Sequence, residues 1–213
     1  MPINASAKSG APRQNAPAGT HVARCYQIID LGTHDKEWQG KKRKSHEIRV
    51  SWELPDEQAD FGKGKLEPFA VHKTYTLSLS EKANLRHDLE SWRGKPFTEA
   101  ELESFDVCTV LGAPCMVTVV HVEKNGNTYA NVSNVTSLPK ALKATMPAPV
   151  NPVVEFSLDT HDENVFRNLP DFLKEIIQSS DEWKQNGATD PDPDERLMQE
   201  AQADDAAEDD IPF

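Results

Sequence analysis

The clearest alternation along the chain lies in "HEIRVSWEL", residues 46–54. His46, Ile48, Val50, Trp52 and Leu54 fall on one side, and Glu47, Arg49, Ser51 and Glu53 on the other. That period of two marks a strand with one buried face, and Pro55 ends it. Upstream, "THVARCYQIIDLG" is rich in β-branched and aromatic residues and closes on Gly32, which predicts a first strand. The polar "THDKEWQGKKRKS" reads as the loop between the two. After a long loop, "PDEQADFGKGKLE", the pattern of "FAVHKTYTLSLS" predicts a third strand with Val71, Tyr75, Leu77 and Leu79 partly buried. "SEKANLRHDLESWRG" switches to helical spacing. Leu85, Leu89 and Trp92 share one face, Ser80 supplies an N-cap and Gly94 a stop. "TEAELESF" adds a short helix capped by Thr98. "APCMVTVVHVEK" and "TYANVSNVTSL" are two strands joined by "NGN", a hairpin turn.

The order strand, strand, strand, helix, strand, strand predicts an all-β domain over residues 20–140. A five-stranded Greek-key β-barrel with one helix between its third and fourth strands, the OB-fold, has this order; an antiparallel sheet with one packed helix fits the same string. Residues 1–19 read as a flexible N-terminal arm, without the apolar run of a secretory signal. Residues 141–213 read as an extension of several parts. "KALKATMPAPVNP" is a Pro/Ala linker. Residues 165–178 predict a short amphipathic helix with Phe172, Leu173, Ile176 and Ile177 on its apolar face. The remaining residues form an acidic tail too poor in apolar side chains to pack, hence disordered.

Charge sharpens this division. The net charge of −12 is unevenly placed. Residues 1–145 carry 19 Lys and Arg against 17 Asp and Glu, a balance of +2; residues 146–213 carry 4 against 18, a balance of −14. A near-neutral domain with an acidic appendage suggests an interaction tail. The mean hydropathy is −0.63, and no run of 18 apolar residues predicts a membrane span. Cys25, Cys108 and Cys115 are odd in number and lack CxxC spacing, which argues against a disulfide framework or zinc ribbon and for a reducing, cytoplasmic setting.

Catalytic patterns are missing. "FGKGK" lacks the spacing and the hydroxyl residue of a phosphate-binding loop. "DPDPDE" lacks the glycine and closing Glu of a calcium loop. His46, His72 and His121 lie on three different predicted strands. The sequence therefore predicts no enzyme, no metal and no cofactor. The strongest local feature is "KKRK": Lys41, Lys42, Arg43 and Lys44, just beyond Trp38. In OB-folds the loops joining strands one to two and four to five, with the faces of strands two and three, hold oligonucleotides. Clustered cations there replace counterions along a phosphate backbone, and an aromatic neighbour stacks on bases. Arg49 and Lys73 extend the charge onto the strands. Trp38 and Tyr75 are the candidate stacking rings, although Tyr75 also fits the interior and the phase of its strand points Lys73 inward with it. Trp52 shares the face of Ile48 and Val50 and reads as core. Lys124 and Tyr129, beside the last hairpin, are weaker candidates. The expected ligand is an oligonucleotide. In the tail, the acids leading to Asp209 and Asp210 keep the segment extended, and Ile211, Pro212 and Phe213 offer an apolar tip suited to a cation-rimmed pocket on another protein.

"DDIPF" resembles the acidic tip of bacterial single-stranded DNA-binding proteins. "CYQIIDLG", "RVSWELP", "KTYTLSLSEKANLRHDLESWRGKPF" and "LGAPCMVTVVH" with "YANVSNV" resemble phage-encoded single-stranded DNA-binding proteins over roughly residues 20–140. The resemblance implies an OB-fold that coats single-stranded DNA during phage replication in a bacterial host cell. It also implies a tip, Asp209 to Phe213, that recruits helicase-, polymerase-, primase- or nuclease-type replication and repair proteins and competes with DNA for the basic groove. The long loops expected at 32–45 and 55–68 depart from the bacterial protein, so its tetramer and its individual stacking residues do not carry over and self-association stays open. A strand-annealing or recombination mediator on a similar barrel, and a barrel that binds only protein, are the alternatives.

Overall fold

The computed structural model describes residues 14–38 and 40–187. Strands β1 (Gly19–Trp38) and β2 (Lys41–Asp60) each run for 20 residues. They are followed by β3 (Leu66–Thr76), helices α1 (Asn84–Arg93) and α2 (Glu99–Glu103), a 3-10 turn (Val107–Val110), β4 (Pro114–Lys124) and β5 (Asn127–Ser137). Short α3 (Lys140–Lys143), β6 (Val154–Phe156), α4 (Glu163–Asn168), α5 (Asp171–Gln178) and α6 (Asp181–Gly187) complete the described chain. The protein is mostly β. Six strands form one antiparallel sheet in the order β3-β2-β1-β4-β5, with β6 paired to β1. Among the described residues no helix is long and apolar enough to cross a membrane.

Two compact units divide the described residues. The sheet unit holds those up to Ile29 together with Ile48–Glu155; the second holds Asp30–Glu47 and those from Phe156 onward.

In the sheet unit β1 pairs with β4, and β4 with β5, with a register shift at Thr118/Val119. Thr20 and Thr118, directly opposite, join hydroxyls at 2.9 Å. β3 and β5, at the two ends of the strand order, approach one another, and α1 lies against both. The inner faces supply Cys25, Val50, Trp52, Leu54, Val71, Val117 and Val135 to one core, and α1 adds Leu85, Leu89 and Trp92. Trp92 leans on Trp52 at 6.1 Å between ring centroids and donates its indole N–H to the Pro114 carbonyl at 2.9 Å. The predicted helix face is therefore the buried one, and Gly94 ends α1 in the left-handed conformation at φ 69°. The start lies one turn later than Ser80, because residues 80–83 form a turn and no side chain caps Asn84. Thr98 and Glu101 form a reciprocal capping box on α2. The two-residue turn Asn125–Gly126, both at positive φ, closes the last hairpin as its sequence predicts.

Four expectations change. "THDKEWQGKKRKS" is not a loop: β1 continues to Trp38 and β2 begins at Lys41. β2 likewise continues to Asp60, so only residues 61–65 connect it to β3. The residues beyond Pro139 are not a plain linker, since they include α3 and β6 and settle on the sheet unit through Glu53 and Arg24. Residues 14–16 are also engaged there: Ala16 is buried, and its carbonyl accepts from His121 Nε2 at 2.8 Å.

The second unit packs the β1 and β2 arms with α4, α5 and α6. Phe166 stacks on Trp183 at 4.5 Å, with Phe156 and His161 beside them. Of the apolar positions predicted on α5, Leu173 and Ile177 are buried whereas Phe172 and Ile176 are exposed. Asp30 organises the arms. Its carboxylate accepts from Gly32 N–H at 2.9 Å, bonds His46 Nε2 at 2.7 Å and accepts from Leu158 N–H at 3.3 Å. Glu182 accepts from Thr33 N–H at 2.7 Å and from its hydroxyl at 2.5 Å. Partial burial pushes the Glu182 carboxyl up, but the Thr33 bonds and nearby His46 outweigh it and hold it below the usual range.

Gly32, read from sequence as a strand stop, is a close-packing position inside β1. A Cβ there would stand 2.5 Å from Ser180 Cβ and 2.8 Å from Leu158 Cδ1, at φ +79°. Backbone strain and overpacking together predict that Gly32→Ala costs roughly 2–4 kcal/mol, read as a lower urea midpoint by tryptophan fluorescence. Gly112→Ala, at φ +75° with nothing within 4 Å of the new Cβ, should show only the smaller loss from backbone strain.

Candidate nucleic-acid interface

The predicted site residues fall into both units. Trp38 is the last residue of β1. Beyond the turn at Gly40, Lys41, Lys42, Arg43 and Lys44 are the exposed first residues of β2, alternating between its two faces. They lie on a strand, not in a loop. Lys44 is already engaged. Its ammonium pairs with Asp181 and lies 3.6 Å from Asp35, and the Asp181 hydrogen bond holds its pKa above the usual lysine value. Among the described residues Lys41, Lys42 and Arg43 have no acidic group within ion-pair distance. Among the described residues, three of the four predicted cations therefore have no neutralising partner.

Arg49 lies in the sheet unit, half-buried on the outer face of β2. Burial pushes the Tyr26 hydroxyl up there, and the nearby Arg49 charge partly offsets it. Lys73 and Tyr75 are spent on the core. Tyr75 is 4% exposed and donates its hydroxyl to Asp88 Oδ2 at 2.7 Å; burial, reinforced by Asp88, pushes that hydroxyl far above its usual range. The Lys73 ammonium reaches the same carboxylate oxygen at 2.6 Å and sits 5.1 Å from the Tyr75 ring centroid. This corrects the expectation of a stacking ring and a phosphate contact. A ring enclosed by α1 has no free face for a base, and the lysine is the counter-charge that Asp88 needs inside the unit.

The outer face of β2 is not open either. Glu53 is fully buried. Arg24 Nη1 approaches it at 3.4 Å, Val150 N–H donates to it at 3.2 Å, and Asn151 donates both its backbone N–H at 2.7 Å and its side-chain N–H at 2.8 Å. Arg24 also donates to the Pro147 carbonyl at 3.0 Å. Ser51, equally buried, bonds Gln27 at 3.1 Å. Residues 147–151 thus cover the strand face on which the sequence placed a ligand.

Tyr129 and Lys124 are exposed on the last hairpin, with Tyr129 opposite Val122. Phe61, in the connection between β2 and β3, stands in no site that the sequence predicts, and the residue is 41% exposed. The available signal was an aromatic set between Asp60 and "GKGK", in a stretch read only as a long loop.

Among the described residues no cluster of three His, Cys, Asp or Glu groups could hold a metal ion. His46 is committed to Asp30 and His121 to Ala16. The three cysteines are free thiols, and burial pushes Cys25 up to about 12. The tip residues Asp209, Asp210, Ile211, Pro212 and Phe213 lie outside the described residues. No protein-family model matches the chain, and no curated protein matches it.

This geometry makes two outcomes testable. Tyr75→Phe removes the bond to Asp88 and is expected to lower stability by about 1.5–3 kcal/mol in denaturant unfolding with oligonucleotide affinity unchanged; an affinity loss in a folded variant would return Tyr75 to the ligand. Glu53→Ala leaves Arg24 and three N–H groups without their acceptor, a cost of about 3–5 kcal/mol. Trypsin should then cut sooner after Lys140 and Lys143, and an unchanged digestion rate would mean that Glu53 does not hold the segment.

Proposed function

We propose that this chain is a non-enzymatic single-stranded DNA-binding protein built on an OB-fold. The strand order β3-β2-β1-β4-β5, the approach of β3 to β5, and α1 placed between β3 and β4 and against both β3 and β5 support a five-stranded Greek-key barrel. Folds of that type receive oligonucleotides at the connection between their first two strands. The observation that carries the reading is the set of exposed cations at that connection, Lys41, Lys42 and Arg43, which have no acidic partner among the described residues. Binding is electrostatic and largely independent of sequence, because a phosphate carries no base identity.

The acidic segment containing Asp209, Asp210, Ile211, Pro212 and Phe213 serves in this reading to recruit replication and repair proteins by an aromatic tip presented among carboxylates. With the resemblance to phage-encoded single-stranded DNA-binding proteins, the setting is DNA replication in the cytoplasm of a bacterial host.

The test is a titration with oligo-dT across a salt series. For single strands each neutralised phosphate contributes about 0.7 to the slope of log affinity against log salt. Replacing Lys41, Lys42 and Arg43 together by Gln should flatten that slope by about 2 and weaken binding in dilute buffer. An unchanged slope would remove the hairpin from the interface.

A further inference from the structure

A cleft of about 1030 Å³ opens within the sheet unit between the β2–β3 connection, residues 14–16 and residues 150–152. Its volume is at the upper end of the roughly 300–1,000 Å³ that encloses a small organic ligand. None of the residues considered so far as ligand contacts lines it.

Three properties of the lining point to one kind of occupant. The first is a ring held in place. Asp60 Oδ1 accepts from the N–H groups of Gly62 at 2.8 Å, Lys63 at 2.9 Å and Gly64 at 3.1 Å. That shapes the loop, and Phe69 braces Phe61 edge to face, with centroids 5.2 Å apart. Phe61 is nonetheless 41% exposed, so an aromatic surface is kept in water on a fixed backbone. The second is a pair of exposed ammonium groups. The ammonium groups of Lys63 and Lys65 both sit 2.9 Å from Glu67, and they pull its carboxyl below the usual range, Lys65 more than Lys63. With Asp60 counted beside Glu67 the charges of the lining balance, but both ammonium groups are well exposed, at 63% and 68% of their side-chain surface. The third is uncharged hydrogen-bonding capacity. Gln14, Asn15 and Asn151 each give one side-chain N–H to the protein, to the Asp60 carbonyl, the Thr128 carbonyl and Glu53. Each amide also carries an acceptor oxygen and a second N–H.

A flat ring, two exposed ammonium groups and uncharged amides match the face, the phosphate and the hydrogen-bonding edge of a nucleotide. An apolar peptide would leave the amides and lysines without use, and a small anion would leave Phe61 without use. We propose that this cleft is a second contact site for single-stranded nucleic acid, in which Phe61 stacks on a base while Lys63 and Lys65 take its phosphate. It rests on the single-stranded DNA-binding reading and adds a place on the protein, distinct from the Lys41–Arg43 hairpin, where a base and not only a phosphate is held.

The test uses the full chain. Phe61→Ala is expected to weaken oligo-dT binding about 5- to 100-fold, as removal of a stacking ring does. In Phe61→Trp the added emission should be quenched by oligo-dT beyond the change seen in the parent protein. If the parent protein binds oligo-dT, Phe61→Ala binds it equally well and the new tryptophan is silent, the cleft is not a contact site and the hairpin reading stands. Failure of the parent protein itself to bind oligo-dT overturns both. Thymidine monophosphate that saturates the Phe61→Trp signal where oligo-dT does not would make the cleft a mononucleotide site and overturn the proposal. Should Phe61→Ala fail to fold, Phe61→Trp, which keeps the ring, decides by itself.

Discussion

Strand β2 is buried on both faces from Val50 to Pro55, and a strand in that position must find a partner for every polar group it carries. The inner residues Val50, Trp52 and Leu54 meet the requirement by being apolar. The outer residues Ser51 and Glu53 cannot. A buried carboxylate is tolerated only with opposite charge and hydrogen bonds around it, and Glu53 gathers Arg24, two backbone N–H groups and an amide. Meeting that need draws residues 147–151 onto the sheet unit, and through Asn151 the same anchor sets one wall of the cleft beside Phe61. Asp88 does similar work on the inner side, tying α1 to β3 through Lys73 and Tyr75.

These demands decide where positive charge stays available. Arg24, Lys73 and Lys44 are each held by a carboxylate that the fold brings to them from elsewhere in the chain. Lys41, Lys42 and Arg43, on the arm leaving the β1–β2 turn, are beyond reach of such a group among the described residues. The difference matters because an unpaired exposed cation exchanges counterions for phosphate at little desolvation cost, whereas a paired one must first give up its partner. At the cleft one acid, Glu67, is shared between two exposed lysines, Lys63 and Lys65.

Much of the fold was legible because it is set by local pattern. Alternation in 46–54 named the inner face of β2, helical spacing named Leu85, Leu89 and Trp92, and Asn125–Gly126 named the last turn. Each is a consequence of backbone geometry over a few residues. The long arms of β1 and β2 were not legible, since "THDKEWQGKKRKS" is polar and alternates no apolar set. Among the candidate site residues, the cations of the hairpin were legible as charge. The fates of Lys73 and Tyr75 were signalled only by a strand phase that pointed both inward. Phe61 carried a weak signal, an aromatic beside a glycine-lysine run, which becomes informative once Asp60 is seen to fix the loop.

The sequence alone determined the β-rich class, the element order over 20–140, the inner face of β2, Val71 and Tyr75 as the inward residues of β3 (Leu77, expected beside them, is exposed beyond its end), and the concentration of negative charge beyond residue 145. These depend on side chains near one another along the chain. Only the tertiary structure decided that residues 147–151 cover Glu53, that Gly32 makes room for Ser180, that Tyr75 is core and that Lys44 is paired with Asp181. Each is a pairing between groups 13 or more residues apart, and no periodic pattern records which distant carboxylate will meet which cation once both are taken out of water.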